Sequence, residues 1–271
     1  MKRIIICLVV FGFTTHFGFA QSKINRAENS LKKEHTSYGN TANDNRSDGD
    51  NSDNFFVQAL TEVFVQGFLY VTYYSFIGGP NEFSNSKISK YPYYNSDKGN
   101  FNYDFDENVS RFRADLSSRY IFENNTLNGM HLTGDLRFLK RIGFEADYTQ
   151  LWEKSPNFGS DALAIYSFVA KYHRIPSQKF DLWWGLGTTY VAGSINEFGF
   201  TYGLGAELFF ARPLSVEANF NQTFINTETV NKLNFLLNYH KGRYKILGGY
   251  EHLKIGTQDF SMIICGLGLS L

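Results

Sequence analysis

From Asn108 to the final residue, Leu271, apolar side chains recur at every second position. Successive side chains of a strand point to opposite faces, so this pattern builds strands with one apolar and one polar face. The first run sets Phe112, Ala114, Leu116 and Tyr120 against Arg111, Arg113, Asp115, Ser117 and Arg119. The second sets Met130, Leu132, Leu136 and Phe138 against His131, Thr133, Asp135 and Arg137; the third sets Ile142, Phe144, Ala146 and Tyr148 against Glu145, Asp147 and Thr149. The fourth, Ala162 to Tyr172, is apolar on both faces and leaves its facing open. The fifth carries Phe180, Leu182, Trp184, Leu186 and Tyr190, and the sixth sets Phe198 to Phe210 against Gly199, Thr201, Gly203, Gly205 and Glu207. The seventh sets Leu214, Val216, Ala218, Phe220 and Phe224 against Ser215, Glu217, Asn219, Asn221 and Thr223. The last three carry Leu233 to Tyr239, then Tyr244, Ile246, Gly248 and Tyr250 opposite Lys245 and Glu251, then Ile263, Cys265, Leu267, Leu269 and Leu271.

Ten such runs, each of about ten residues or more, are long enough to cross a bilayer at a tilt. Their connections centre on Asn124-Asn125, Lys140, Ser155-Pro156-Asn157, Pro176, Ser194-Ile195-Asn196, Arg212-Pro213, Asn226-Thr227, Lys241-Gly242 and Gly256-Thr257. The even-numbered ones are mostly tight. An even strand count puts both barrel ends, and those tight turns, on one side of the membrane, which is the periplasmic side in bacterial barrels. A closed antiparallel up-and-down barrel of about ten strands (eight to twelve) follows. Closure also removes the edges that such long strands would expose.

Alternation alone would fit a soluble barrel with an apolar interior. Bulk decides between the two. Aromatic residues make up 17% of the chain, with 27 Phe and 17 Tyr, and most of those in the strands share the apolar face. A ten-stranded barrel has little interior volume, and interiors are close-packed, so that face would overfill it. The polar face, with small Gly, Ser and Thr and charges of both signs, suits a lumen. No charge interrupts the middle of the apolar face in the nine runs that can be oriented. A charge there would cost about 2–4 kcal/mol at the bilayer midplane.

The N-terminal part reads differently. Lys2 and Arg3, the apolar run Ile4 to Phe13, and Gly18-Phe19-Ala20 form a signal peptide pattern over 1–20, with cleavage expected after Ala20. Cys7 leaves with it, and Cys265 alone remains, so no internal disulfide is expected. Residues 21–53 are polar and read as a disordered tether. Over 54–78, Phe56, Ala59, Leu60, Val63, Phe64, Gly67, Phe68 and Val71 fall at helical spacing before Gly78-Gly79-Pro80. The preferred reading is an amphipathic helix, about 36 Å long, against the barrel or membrane interface. A spanning helix, or a hairpin at Gln66-Gly67 that would bring the strand count to twelve, stays open. Residues 79–105 read as a connector, and 106–271 as the barrel.

The signal peptide, the amphipathic strands and the final run Ile263, Cys265, Leu267, Leu269, Leu271 resemble small bacterial outer-membrane β-barrel proteins. The resemblance covers the C-terminal part of the chain and rests on pattern. It implies a Gram-negative outer-membrane location and a last strand read by the barrel-insertion machinery. The last residue is Leu where the commonest form has Phe. It transfers no active site.

Site motifs are few. Gly185/Gly187, Gly203/Gly205 and Gly266/Gly268 do not continue into a phosphate-binding fingerprint and read as small residues on crowded strands. The His residues show no metal-ligand spacing. Lipid A deacylases of the outer membrane resemble this chain in architecture and place His and Ser two residues apart on a late strand. Here Lys254 follows His252 at that spacing, so the nucleophile is missing from that position. The expectation is therefore no enzyme, no cofactor and no metal. Net charge is zero, which gives no reason to expect nucleic acid as a partner.

The polar-face charges are the candidate site: Arg111, Arg113, Arg119, Asp135, Arg137, Glu145, Asp147, Glu207, Glu217, Lys245 and Glu251. Opposite charges there would pair and hold a largely filled lumen rigid. The expected role is non-enzymatic, in envelope structure or in docking an envelope partner through residues 21–78. A narrow, porin-like pore for small solutes and a lipid-modifying enzyme are the alternatives.

Overall fold

The computed structural model describes residues 22–32, 87–95, 97, 99–102, 112–139, 141–155 and 159–271. A helix α1 (Lys23–Leu31) comes first, then two short strands, β1 (Lys87–Ile88) and β2 (Phe101–Asn102), which pair with each other. Ten long strands follow: β3 (Arg113–Phe122), β4 (Leu127–Leu139), β5 (Ile142–Ser155), β6 (Gly159–Pro176), β7 (Phe180–Ala192), β8 (Asn196–Ala211), β9 (Leu214–Ile225), β10 (Glu228–Lys241), β11 (Tyr244–Ile255) and β12 (Gln258–Ser270). Each pairs antiparallel with its sequence neighbours, and β12 pairs with β3 to close the barrel. The connections fall where the turn residues predict. Gly242 and Gly256 take positive φ in two of them, a conformation that costs glycine little.

The strands face as their pattern predicts. Phe112, Leu116 and Tyr120 of the first run, Phe198 and Phe200 of β8, and Phe235 and Leu237 of β10 are all exposed on the outer wall. Ile263 and Leu267 on β12 are each 65% exposed, so the proposed insertion pattern lies on the outside surface. Apolar residues exposed in this number and continuity would be a severe liability in water. A lipid environment removes that penalty. Stacked rings on neighbouring strands, such as Phe138–Phe144–Phe168 and Tyr148–Tyr166–Tyr190–Phe198, brace the wall.

The fourth run, β6, resolves into two faces. Tyr166 and Phe168 point outward, while Leu163, Ile165, Val169 and Lys171 are buried inside. Leu163 and Ile165 belong to an apolar layer that the lumen was not expected to have. Ile121, Leu127, Leu151, Val191, Ile225, Val230, Leu253, Ile255, Phe260, Met262 and Ile264 also belong to it, at the end of the barrel formed by the odd-numbered turns.

That layer exists because α1 sits in it. The tether assigned to 21–53 is corrected here: Lys23–Leu31 is a helix that closes this end of the lumen, with Ile24, Ala27 and Leu31 fully buried. Three apolar side chains at helical spacing are few, but the barrel supplies the rest of the core. Ser22 caps the helix by accepting from the Asn25 amide at 3.0 Å. The carboxylate of Glu153 takes the free amides of Lys23 and Ile24 at 3.0 and 2.8 Å. Glu28 accepts from the Ser194 amide and hydroxyl at 2.7 and 2.6 Å, and Asn226 donates to the Leu31 carbonyl at 2.8 Å.

The connector is also more than a link. Its described residues, 87–95, 97 and 99–102, pair as β1 and β2 and dock at the opposite end of the lumen. The Gly99 amide donates to the Gln178 carbonyl at 2.7 Å, and the Tyr93 hydroxyl donates to the Leu214 carbonyl at 2.5 Å. Phe209 fills the space over Gly99, where a Cβ would overlap its ring. The signal peptide, the helix expected over 54–78 and Arg111 lie outside the described residues.

Candidate functional site: the barrel lumen

Below the apolar layer, moving away from α1, the inward residues become polar. A ladder of hydroxyls comes first: Ser167 with Thr189 at 2.9 Å, Thr189 with Thr201 at 2.7 Å, and Thr201 with Thr223 at 2.8 Å. Hydroxyls both donate and accept, so such a ladder satisfies itself without charge.

On the other strands a buried histidine sits between two carboxylates. His131 is fully buried; its Nδ1 meets Glu251 at 2.9 Å and its Nε2 meets Asp147 at 3.0 Å. Arg119 lies 2.9 Å from the same imidazole and donates to Thr133 at 2.5 Å. Thr133 in turn donates to Asp147 at 2.7 Å, and Lys232 meets the other Asp147 oxygen at 3.0 Å.

Closer to the β1–β2 end lies the densest ionic cluster. Lys171 bridges Asp135 and Glu145, the latter at 2.9 Å, with its ammonium 4.6 Å over the Trp183 ring. Arg137 reaches Asp135 at 3.3 Å and Asp181 at 2.6 Å, and His173 meets the other Asp181 oxygen at 2.8 Å. Asn100 joins the connector to this network: it donates to Glu207 at 2.9 Å and accepts from Arg113 at 3.0 Å. Arg113 also meets Asp115 at 2.8 Å. Ser215 donates to Glu207 at 2.7 Å and contacts His240 at 2.8 Å, while Asn219 and Asn238 donate to Glu217 at 2.6 and 3.2 Å. Lys245 lines the same interior.

These groups leave a cavity of only about 70 Å³. That holds a few waters and no solute of ordinary metabolite size. Glycines make this density possible. At Gly205 a Cβ would overlap the Trp183 ring and the Asn219 amide, so the crowded-strand reading of Gly203/Gly205 fits the packing. Just outside the strands, the Tyr93 hydroxyl is pushed up to about 12, first by burial and then by the negative charge of Glu207.

Of the predicted network, every residue from Arg113 to Glu251 points inward. The structure draws them into one interior but distributes them over several clusters. The candidate charges leave out Lys171, Asp181, Lys232 and the three histidines His131, His173 and His240, although the alternation places His131 and Lys232 on the polar face. Lys171 was hidden by the apolar look of β6. The histidines were weighed only as metal ligands, and among the described residues no group of His, Cys, Asp and Glu could hold a metal ion. What they share is a place on the inward register of their strands, which was legible.

No protein-family model matches the chain, and no curated protein matches it. Among solved structures, it is similar to the outer membrane protein OprG from Pseudomonas aeruginosa, at 12% identity and a TM-score of 0.34. The match covers 60% of this chain and 96% of that one. So distant a likeness carries no weight here; the barrel is defined by its own strand pairing.

Proposed function

We propose that this chain is an integral barrel of a Gram-negative outer membrane whose lumen is a strut, closed to solutes, and that it serves the structure of the envelope. The observation that carries this reading is the closure of the lumen at both ends by the chain itself, with α1 in one mouth and 87–102 in the other. The apolar outer wall supports the membrane placement. The outward run Ile263, Cys265, Leu267, Leu271 supports recognition by the barrel-insertion machinery. The β3 start and β12 end share the mouth that holds β1 and β2, so that mouth faces the periplasm and α1 faces outward. Docking of an envelope partner would have to use parts of 21–78 other than the face of α1 that carries Ile24, Ala27, Glu28 and Leu31, which is buried in the barrel.

The test is conductance. The full chain is purified in detergent and shown to be a folded barrel by heat-modifiable migration on a gel, then inserted into planar bilayers. The expected result is insertion with no conductance steps. Stable steps would overturn the closed-lumen reading and favour the narrow pore.

A further inference from the structure

On the outer wall, below the turn at Gly256-Thr257, side chains converge that the lumen does not use. His252 on β11 and Ser261 on β12 are direct register partners, and both point outward. Asp259, two residues before Ser261, lies on the same face. The Tyr250 hydroxyl donates to Ser261 Oγ at 3.0 Å. Ser261 Oγ lies 3.4 Å from His252 Nδ1, and Asp259 Oδ1 lies 3.3 Å from His252 Nε2. The imidazole thus has a hydroxyl at one nitrogen and a carboxylate at the other, the order of nucleophile, base and orienting acid. Distances slightly beyond an ideal hydrogen bond are common before substrate binds. Ser261 is exposed and His252 is buried, so the nucleophile is reachable and the base is shielded.

We infer that Ser261, His252 and Asp259 form a hydrolytic site for ester-linked fatty acyl chains of lipids in the surrounding leaflet. The inference rests on the membrane reading above. The position selects the substrate class. Toward the rim lie Asp259 and its register partner Lys254, which suit a polar headgroup. Toward the midplane lie exposed Ile263, Phe122 and Tyr120, which suit an acyl chain. An ester joins these two parts of a lipid, and Ser261 sits at the boundary between the two surfaces.

In the reaction Ser261 Oγ attacks the acyl carbonyl carbon and its proton passes to His252. The Tyr250 hydroxyl, already at Ser261, is placed to donate to the developing oxyanion. Collapse breaks the acyl C–O bond, and the alcohol leaves with the proton from His252. Water then attacks the acyl-serine, with His252 again taking the proton, and the fatty acid leaves as Ser261 regains its hydrogen. One ester and one water give one alcohol and one acid. Asp259 is a positioning residue that holds the imidazole.

The test uses the full chain, with heat-modifiable migration confirming the barrel fold of each variant. A long-chain fluorophosphonate should add to Ser261, read by intact mass and peptide mapping. Ser261→Ala should abolish the adduct, and His252→Gln should slow it on the order of a hundredfold or more. Cys265→Ala, on the same strand and face, should leave it unchanged. Asp259→Asn should slow labelling and shift its pH profile, and Asp259→Glu should restore part of both. Fatty-acid release is then measured from vesicles of phosphatidylcholine, of an ester-acylated glucosamine lipid, and of an ether-linked phospholipid. One or both ester lipids should be cleaved, which identifies the source, and the ether lipid should not. A folded chain that takes no label and releases no acid overturns the proposal, as does a labelled, vesicle-inserted chain that cleaves neither ester lipid. A folded chain that labels at Ser261 but never enters vesicles would instead overturn the membrane reading, and with it the lipid substrate.

Discussion

The two mouths of the barrel are closed by different physics. At the α1 mouth, Ile24, Ala27 and Leu31 pack into a ring of Ile, Leu, Val, Met and Phe, and polar contacts serve only to cap the helix and fix its register. At the other mouth, the β1–β2 segment is tied down chiefly by hydrogen bonds, Asn100 to Glu207 and Arg113, the Tyr93 hydroxyl to Leu214 and the Gly99 amide to Gln178, around the buried side chains of Ile88 and Phe101. The first seal is non-directional and tolerates small shifts. The second depends on a complete set of partners, because a buried charge left alone is costly. Substitutions of similar size should therefore act unequally at the two mouths.

The largest effect is expected at Arg137. Arg137→Ala removes the guanidinium shared by Asp181 and Asp135, leaving Asp181 with His173 and Asp135 with Lys171, and should cost about 3 kcal/mol, read by urea unfolding in vesicles. A loss no larger than that of a surface substitution would mean that water reaches this cluster freely. At the other mouth, Leu31→Ala should cost about 2–3 kcal/mol of helix docking, toward the low side of such changes because α1 can resettle. Hydrogen exchange of residues 23–31 should rise while the strands stay protected. If the strand amides are released as well, α1 is part of the barrel's cooperative unit and the two seals are less distinct than drawn here. Glu153→Gln weakens the cap on the Lys23 and Ile24 amides and should cost about 1 kcal/mol, visible in the same exchange experiment.

The smallest effect is a titration. Tyr93 is neutral in the fold up to about 12, above its ordinary value of 10.0. A raised folded value means its contribution is complete below the unfolded pKa and is lost as pH climbs from about 10 through about 12. The difference in ultraviolet absorbance between the wild type and Tyr93→Phe should show this high midpoint. A midpoint near 10 would mean that 87–102 is undocked.

Much of the barrel was legible in the sequence because one constraint repeats: a strand that separates lipid from lumen must alternate. Phe112, Leu116 and Tyr120 declare the outside as plainly as Arg113 and Arg119 declare the inside. The strategy fails where both faces are apolar. On β6, Leu163 and Ile165 face the lumen because α1 is there to meet them, and no local pattern carries that information. Helix α1 itself has only Ile24, Ala27 and Leu31 to mark it, within a polar stretch whose composition reads as unfolded. The lumen network was found where charges alternate with apolar residues and missed at Lys171, inside an apolar run. His252 and Ser261 illustrate the same limit across the ladder: they are nine residues apart in the chain and become neighbours only through the β11–β12 register.

The central claim is the assignment of the apolar face to lipid and the charged face to the lumen, and tryptophan reads both sides. Trp152 is exposed on the outer wall, while Trp183 is 4% exposed inside, beneath the Lys171 ammonium. Single-tryptophan variants, with the other two replaced by Phe, can be folded into vesicles whose acyl chains carry bromine, a contact quencher. Strong quenching at Trp152 with Trp183 unaffected is the predicted result. Quenching of Trp183 with Trp152 protected, or water-exposed emission from Trp152 in the inserted barrel, would contradict it.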